Sequence, residues 1–336
     1  MQWQDLLGHD QQQGWFRNAM TNGRLASSFL FVGPEGIGKR AFARLLAKSL
    51  LCRSTMANEL TCCGVCEDCV QVDASTHPDL VQVFKPAEKA VIPVDLLIGE
   101  REKRMREGLC YDISLKPFAG RRKVAILDDA DFLNAEGANC LLKTLEEPPA
   151  DSLFILIGTS LQRQLPTIRS RCQAILFRPL SQSDLESLLP RLPIPGNEDD
   201  ACLSPESAAA VAPQAEGSLT KAWVIADEEL QQFRGKLHGY LGAQRLPIGE
   251  LAKEWISLVD AAGKESRTKR DRMKILFQLA ADFYRRDSIQ DGQMDSEMAT
   301  RCWNRCLEAI EQVERNANQA SLIESLTADL AVLSSR

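Results

Sequence analysis

Three groups of residues in this sequence have types and spacings that could do chemistry. The stretch GPEGIGKR, residues 33–40, places Gly33, Gly36, Gly38 and Lys39 at the spacing of a phosphate-binding loop. There, glycines let successive N–H groups turn inward around phosphate oxygens and the lysine supplies a point charge. Arg40 stands where that loop carries a Ser or Thr hydroxyl, the group that ligates the Mg²⁺ between the β- and γ-phosphates. A guanidinium cannot coordinate a cation, so metal-assisted hydrolysis of ATP is expected to suffer more than phosphate binding. The residues leave two outcomes open at Lys39: a nucleotide held without turnover, or none.

The second group lies in VAILDDAD, residues 124–131. An apolar run that ends in Asp128 delivers a carboxylate to the edge of a sheet, where it can hold the water shell of a bound metal. Asp129 occupies the position of a glutamate base and is one methylene shorter. Alternatively, Asp128, Asp129 and Asp131 cap the helix that follows.

The third group is Cys52, Cys63, Cys66 and Cys69, spaced C-x10-C-x2-C-x2-C. Four thiolates at such spacing can converge on one tetrahedral ion and close its shell, which predicts a structural Zn²⁺ site rather than a catalytic one. Cys62 is an alternative to Cys63, although the C-x2-C spacing favours Cys63. The other cysteines, Cys110, Cys140, Cys172, Cys202, Cys302 and Cys306, read as small buried residues or inert surface thiols.

Positioning these groups requires a scaffold, and the first half of the chain alternates short apolar runs with helical periodicity, the pattern of β-α-β units on a parallel sheet. Strands are predicted at 29–32, 80–84, 124–127, 153–157 and 174–177, and helices at 41–51 and 135–147, the latter stopped by Pro148 and Pro149. After Pro179 the texture turns helical. Ser181 is a good N-cap, residues 192–207 read as a loop, and from residue 228 the helices lengthen into an all-α bundle. The predicted layout is an α/β core over 1–178 with the cysteine knuckle at 52–69, a small helical lid over 179–227 and a helical bundle over 228–336.

Composition sets limits on function. With 44% apolar and 26% charged residues in 336, the chain can bury large cores, and its formal charge of −6 excludes a protein coated in basic surface. No apolar run approaches the roughly 18–20 residues that span a bilayer, and the N-terminal residues lack a basic start and an apolar signal block, so a cytoplasmic protein without membrane contact is expected. Eleven cysteines in that setting argue for metal binding over disulfides.

The ordered blocks LASSFLFVGPEGIGK, the cysteine knuckle followed by THPD, VAILDDADFLN, LLKTLEEPP, the triplet Ser170-Arg171-Cys172 and RNANQASLIESL span nearly the whole chain. Together they resemble the bacterial DNA polymerase III clamp-loader subunits of the AAA+ class. The resemblance implies a five-subunit ring with gamma/tau-type and delta-type subunits, a collar formed by the C-terminal bundle, and ATP-dependent loading of a sliding clamp on primed DNA. It puts on Arg171 the part of an arginine finger acting in trans on a neighbour's γ-phosphate, with Arg169 as a decoy, and on Thr159 that of a first sensor. At the place of a second sensing arginine the sequence reads GSLTK, so Thr220 stands there, with Lys221 about 100° round the helix. Arg40, Asp129 and Thr220 all depart from a hydrolysing site while Arg171 remains. That asymmetry implies the delta-prime type of subunit, with little or no ATPase of its own, rather than the gamma/tau motor type or a related AAA+ ATPase. A zinc module that reads nucleic acid is disfavoured, because its knuckle would need basic or aromatic side chains and this one carries Glu67 and Asp68 instead.

Overall fold

The computed structural model describes residues 1–56, 58–86, 89–104, 106–119, 121–195, 201–243, 245–262, 266–285, 295–314 and 317–334. They form two compact units, Met1–Trp223 and Val224–Arg336. In the first, five strands, β1 (Ser28–Val32), β2 (Leu80–Val83), β3 (Lys123–Leu127), β4 (Ser152–Gly158) and β5 (Gln173–Leu176), make one sheet in the order β2-β3-β4-β1-β5. Every neighbouring pair is parallel.

Burial explains why the three central strands are legible in the sequence. In β1, β3 and β4 every residue is buried, so both faces must be apolar, as in parallel sheets covered on both sides. The flanking strands β2 and β5 are only partly covered, and they carry Gln82 and Gln173. The five predicted strands are thus found within a residue or so of their expected ends.

Helix Lys39–Leu51 follows β1 and buries Phe42, Leu45, Leu46 and Leu50. Helix Ala135–Glu146 follows β3, starting from Asn134, whose side chain accepts from the Gly137 N–H at 2.8 Å. Its Ala138, Leu141 and Leu145 join Ile168 and Cys172 in a core that also contains Leu127 and Leu156. Ser181 caps helix Gln182–Leu188 as predicted. The predicted loop at 192–207 ends sooner than expected, because Ser204 caps a helix over Pro205–Val211. The part of that loop at 196–200 lies outside the described residues.

In the second unit, helices Glu228–Leu241, Ile248–Ala261, Ser266–Phe283, Ser296–Glu314 and Gln319–Ser334 surround a core built on Trp255, Phe277 and Tyr284. Cys302 and Cys306, one helical turn apart, are fully buried in it and serve as the small apolar residues expected of them. Among the described residues no helix is long and apolar enough to cross a membrane.

Candidate functional site

The phosphate loop runs from the C-terminal end of β1 into helix Lys39–Leu51, which is where a βα turn aims its N–H groups at an anion. In this chain the loop is engaged with its own protein. The Lys39 ammonium donates to the Gly33 carbonyl at 2.6 Å and to the Pro34 carbonyl at 2.5 Å. Burial lowers the pKa of Lys39, opposed by the carboxylates of Glu35, Asp128 and Asp131. The His9 imidazole, fully buried, meets the Ile37 carbonyl at 2.6 Å and braces the loop from below.

Above Gly36 lies the GSLT segment. Leu219 N–H donates to the Gly36 carbonyl at 2.8 Å, and Ser218 Oγ donates to the Glu35 carbonyl at 2.8 Å. Gly36 has φ +72°, and a Cβ there would stand 2.5 Å from Ser218 Oγ and 2.6 Å from Thr220 Oγ1. Thr220 therefore stands against the loop itself, at the position where the family resemblance expects an arginine.

Arg40 donates to the Asp128 carboxylate. The strand order explains why it can. Asp128 follows β3 and the loop follows β1, with β4 between them, a separation of about 10 Å at the usual strand spacing. A short hydroxyl would need an intervening metal and its water to reach that carboxylate. The longer arginine spans the gap directly. Asp129 sits beside Asp128 with φ +58°, and burial followed by the Asp128 charge raises its pKa. Neither Asp128 nor Asp129 places a side-chain oxygen as a helix cap: Asp128 Oδ1 accepts from the Asp129 N–H, 2.9 Å away. Thr159 directly follows β4. Its N–H donates to Asp131 at 2.7 Å, and the buried Gln164 side chain donates to the same carboxylate.

The structure brings Cys52, Cys63, Cys66 and Cys69 together, their sulfurs all within 4.8 Å of one another. The pairs 52–63, 52–66 and 63–69 are separated by 3.7, 3.8 and 3.9 Å. Tetrahedral thiolates at the usual metal–sulfur distance of about 2.3 Å lie about 3.8 Å apart, so the four residues are grouped as a metal ion would need. The N–H groups of Val65 and Cys66 lower the Cys63 thiol to about 6, favouring the thiolate that a metal needs. Gly64, at φ +77°, makes the tight turn that aims them. Cys62 lies outside the four.

The THPD block ties this knuckle to the sheet. Buried His77 accepts the Asp79 N–H on Nδ1 at 3.0 Å, which leaves the proton on Nε2, 3.4 Å from Asp68 Oδ1 in the knuckle. Asp68 also pairs with Arg53 at 2.8 Å, and Asp79 accepts the N–H groups of Phe118 and Ala119.

Arg171 lies after the short helix Pro166–Arg169, away from this loop in sequence, and pairs with Glu146 at the end of helix Ala135–Glu146. Sequence reasoning missed Glu146, Gln164 and Ser218. The signals were present but ambiguous: a double glutamate before two prolines, and polar residues in loops that could equally face water.

A family model described as "DNA polymerase III, delta subunit" matches residues 8–181, more than half of the chain, a stretch that includes the loop at 33–40, the four clustered cysteines, Asp128 and Arg171. The chain belongs to that family. DNA polymerase III subunit tau of Escherichia coli is 31% identical over 233 residues, 69% of this chain and 34% of that protein. Two delta′ subunits of DNA polymerase III are more similar over a shorter stretch. The one from Pseudomonas aeruginosa is 39% identical over 169 residues, 50% of this chain and 48% of that protein. The one from Bacillus subtilis is 36% identical over 172 residues, 51% of this chain and 48% of that protein. This member of the family thus spans a third to a half of the length of the curated relatives it matches.

Proposed function

We propose that this chain is a delta-prime-type subunit of a bacterial clamp loader, one that completes a neighbour's ATP site and hydrolyses little or no ATP itself. It would act in the cytoplasm in a five-subunit ring with gamma/tau-type and delta-type subunits, which loads a sliding clamp on primed DNA. The observation that carries this reading is the state of its own loop. Lys39 is taken up by two loop carbonyls, Arg40 by Asp128, and Thr220 stands on Gly36. Three side chains at the places that would meet a triphosphate or its Mg²⁺ are thus engaged within the chain. Arg171 lies on a separate surface turn, its side chain part-exposed and paired with Glu146.

In this reading Arg171 reaches a neighbour's γ-phosphate, where a guanidinium neutralises charge that develops during transfer. The four cysteines hold a structural Zn²⁺, which would fasten the knuckle without taking part in chemistry. Residues 179–227 serve as a lid and residues 228–336 as a collar element. The test is ATP hydrolysis by the reconstituted ring: Arg171→Ala should lower DNA-stimulated turnover by orders of magnitude while assembly stays intact. Unchanged turnover would refute the finger.

The longer match to the tau relative favours a second reading, a gamma/tau-type motor. The isolated chain distinguishes them, since a motor hydrolyses ATP with Mg²⁺ and this chain should not.

A further inference from the structure

We propose that Glu146 is a positioning residue for Arg171, setting the plane in which its guanidinium is offered to the neighbouring subunit; the inference rests on the finger reading above. The geometry is that of a held, directed group. Both Nε and Nη2 of Arg171 donate to Glu146 Oε1. Nη1 donates to the Thr167 carbonyl at 3.0 Å and to Ser170 Oγ at 3.1 Å. An arginine has five N–H donors in a rigid planar fork. Four bonds to acceptors on two different elements fix that plane, and the inner edge of the fork is spent on Glu146. The outward Nη2 N–H meets no acceptor among the described residues, while the side chain keeps 30% of its surface exposed.

Helix stability does not explain the carboxylate. Glu146 is the last residue of its helix, where a negative charge opposes the macrodipole. Its partner on the far side is anchored as firmly as the helix itself, because Ile168 and Cys172, flanking the Arg171 turn, share a buried core with Leu141 and Leu145. The acid and the arginine thus stand on one rigid block, which is what a supporting residue requires.

The experiment uses the full ring reconstituted with this chain, measuring steady-state ATP hydrolysis for wild type, Glu146→Ala, Glu146→Asp, Arg171→Ala and the Glu146→Ala, Arg171→Ala double variant. Misplacing a catalytic group by about 1 Å can cost up to roughly 100-fold, and we expect Glu146→Ala to lower kcat on the order of tenfold, with KM for ATP and ring assembly unchanged. Glu146→Asp should recover part of the loss. In the Arg171→Ala background, removing Glu146 should cost nothing further, because it acts only through Arg171. The proposal is overturned if Glu146→Ala is fully active or faster while Arg171→Ala is impaired, and equally if the double variant is worse than Arg171→Ala. If Arg171→Ala is itself fully active, the finger reading has failed and the proposal falls with it.

Discussion

Arg40 and Asp128 form an ion pair across the end of the sheet, joining the residue after Lys39 to the carboxylate after β3. The position that a magnesium ion and its waters would bridge is spanned by one protein side chain. The Arg40 side chain is 57% exposed, so the pair contributes little to stability, and on the proposed reading its interest lies in what it would block.

That blockade is one of several, so undoing it alone should not create an enzyme. In the isolated chain, Arg40→Thr is expected to show no ATP hydrolysis above wild type and a melting temperature within a few degrees of it. Lys39 stays tied to Gly33 and Pro34, and Thr220 still stands on Gly36. Turnover tenfold above wild type would mean that the hydroxyl was the sole defect.

The seal over the loop has its own test in Gly36→Ala. A left-handed backbone disfavours a side chain by about 1–2 kcal/mol, and forcing a methyl against Ser218 and Thr220 adds roughly 1–3 kcal/mol. Urea denaturation should report a loss of about 2–5 kcal/mol. A neutral substitution would show that the GSLT segment leaves Gly36 freely.

Metal content separates Cys62 from the cluster. The purified chain should carry about one zinc, Cys62→Ser should retain it, and Cys66→Ser should lose it together with thermal stability of the first unit. Strong chelators should reproduce the Cys66→Ser behaviour. Retention of a full equivalent by Cys66→Ser would remove the four-cysteine assignment.

His9 predicts a response to acid. Burial lowers its pKa, opposed by the backbone contacts at Ile37 and Gly8 and by the charges of Asp184 and Asp10. The folded chain therefore binds this proton less readily than the unfolded chain. Its contribution to stability is complete above about pH 6.5 and is lost as pH falls from there through the depressed folded value. His9→Gln keeps an N–H for the Ile37 carbonyl and should flatten that fall between pH 8 and pH 5, followed by urea midpoints. Parallel curves for the two proteins would place the acid sensitivity elsewhere.

By itself, the sequence determined whatever is written in near neighbours. Runs of apolar residues gave three strands with both faces buried, the C-x2-C spacing gave a turn that points sulfurs at one another, and a single letter at position 40 put an arginine where the loop pattern carries a hydroxyl. Only the tertiary structure decided which distant groups meet. Arg40 and Asp128 are 88 residues apart, and Ser218 and Glu35 are 183 apart. Those pairings depend on the strand order, which sets β1 and β3 on either side of β4, and on the turn that lays residues 217–220 over the loop. Periodicity records which face of an element is apolar. It holds no information on what a long polar side chain will find once elements far apart in the chain have packed, and so Glu146 beside Arg171 became visible only in the folded protein.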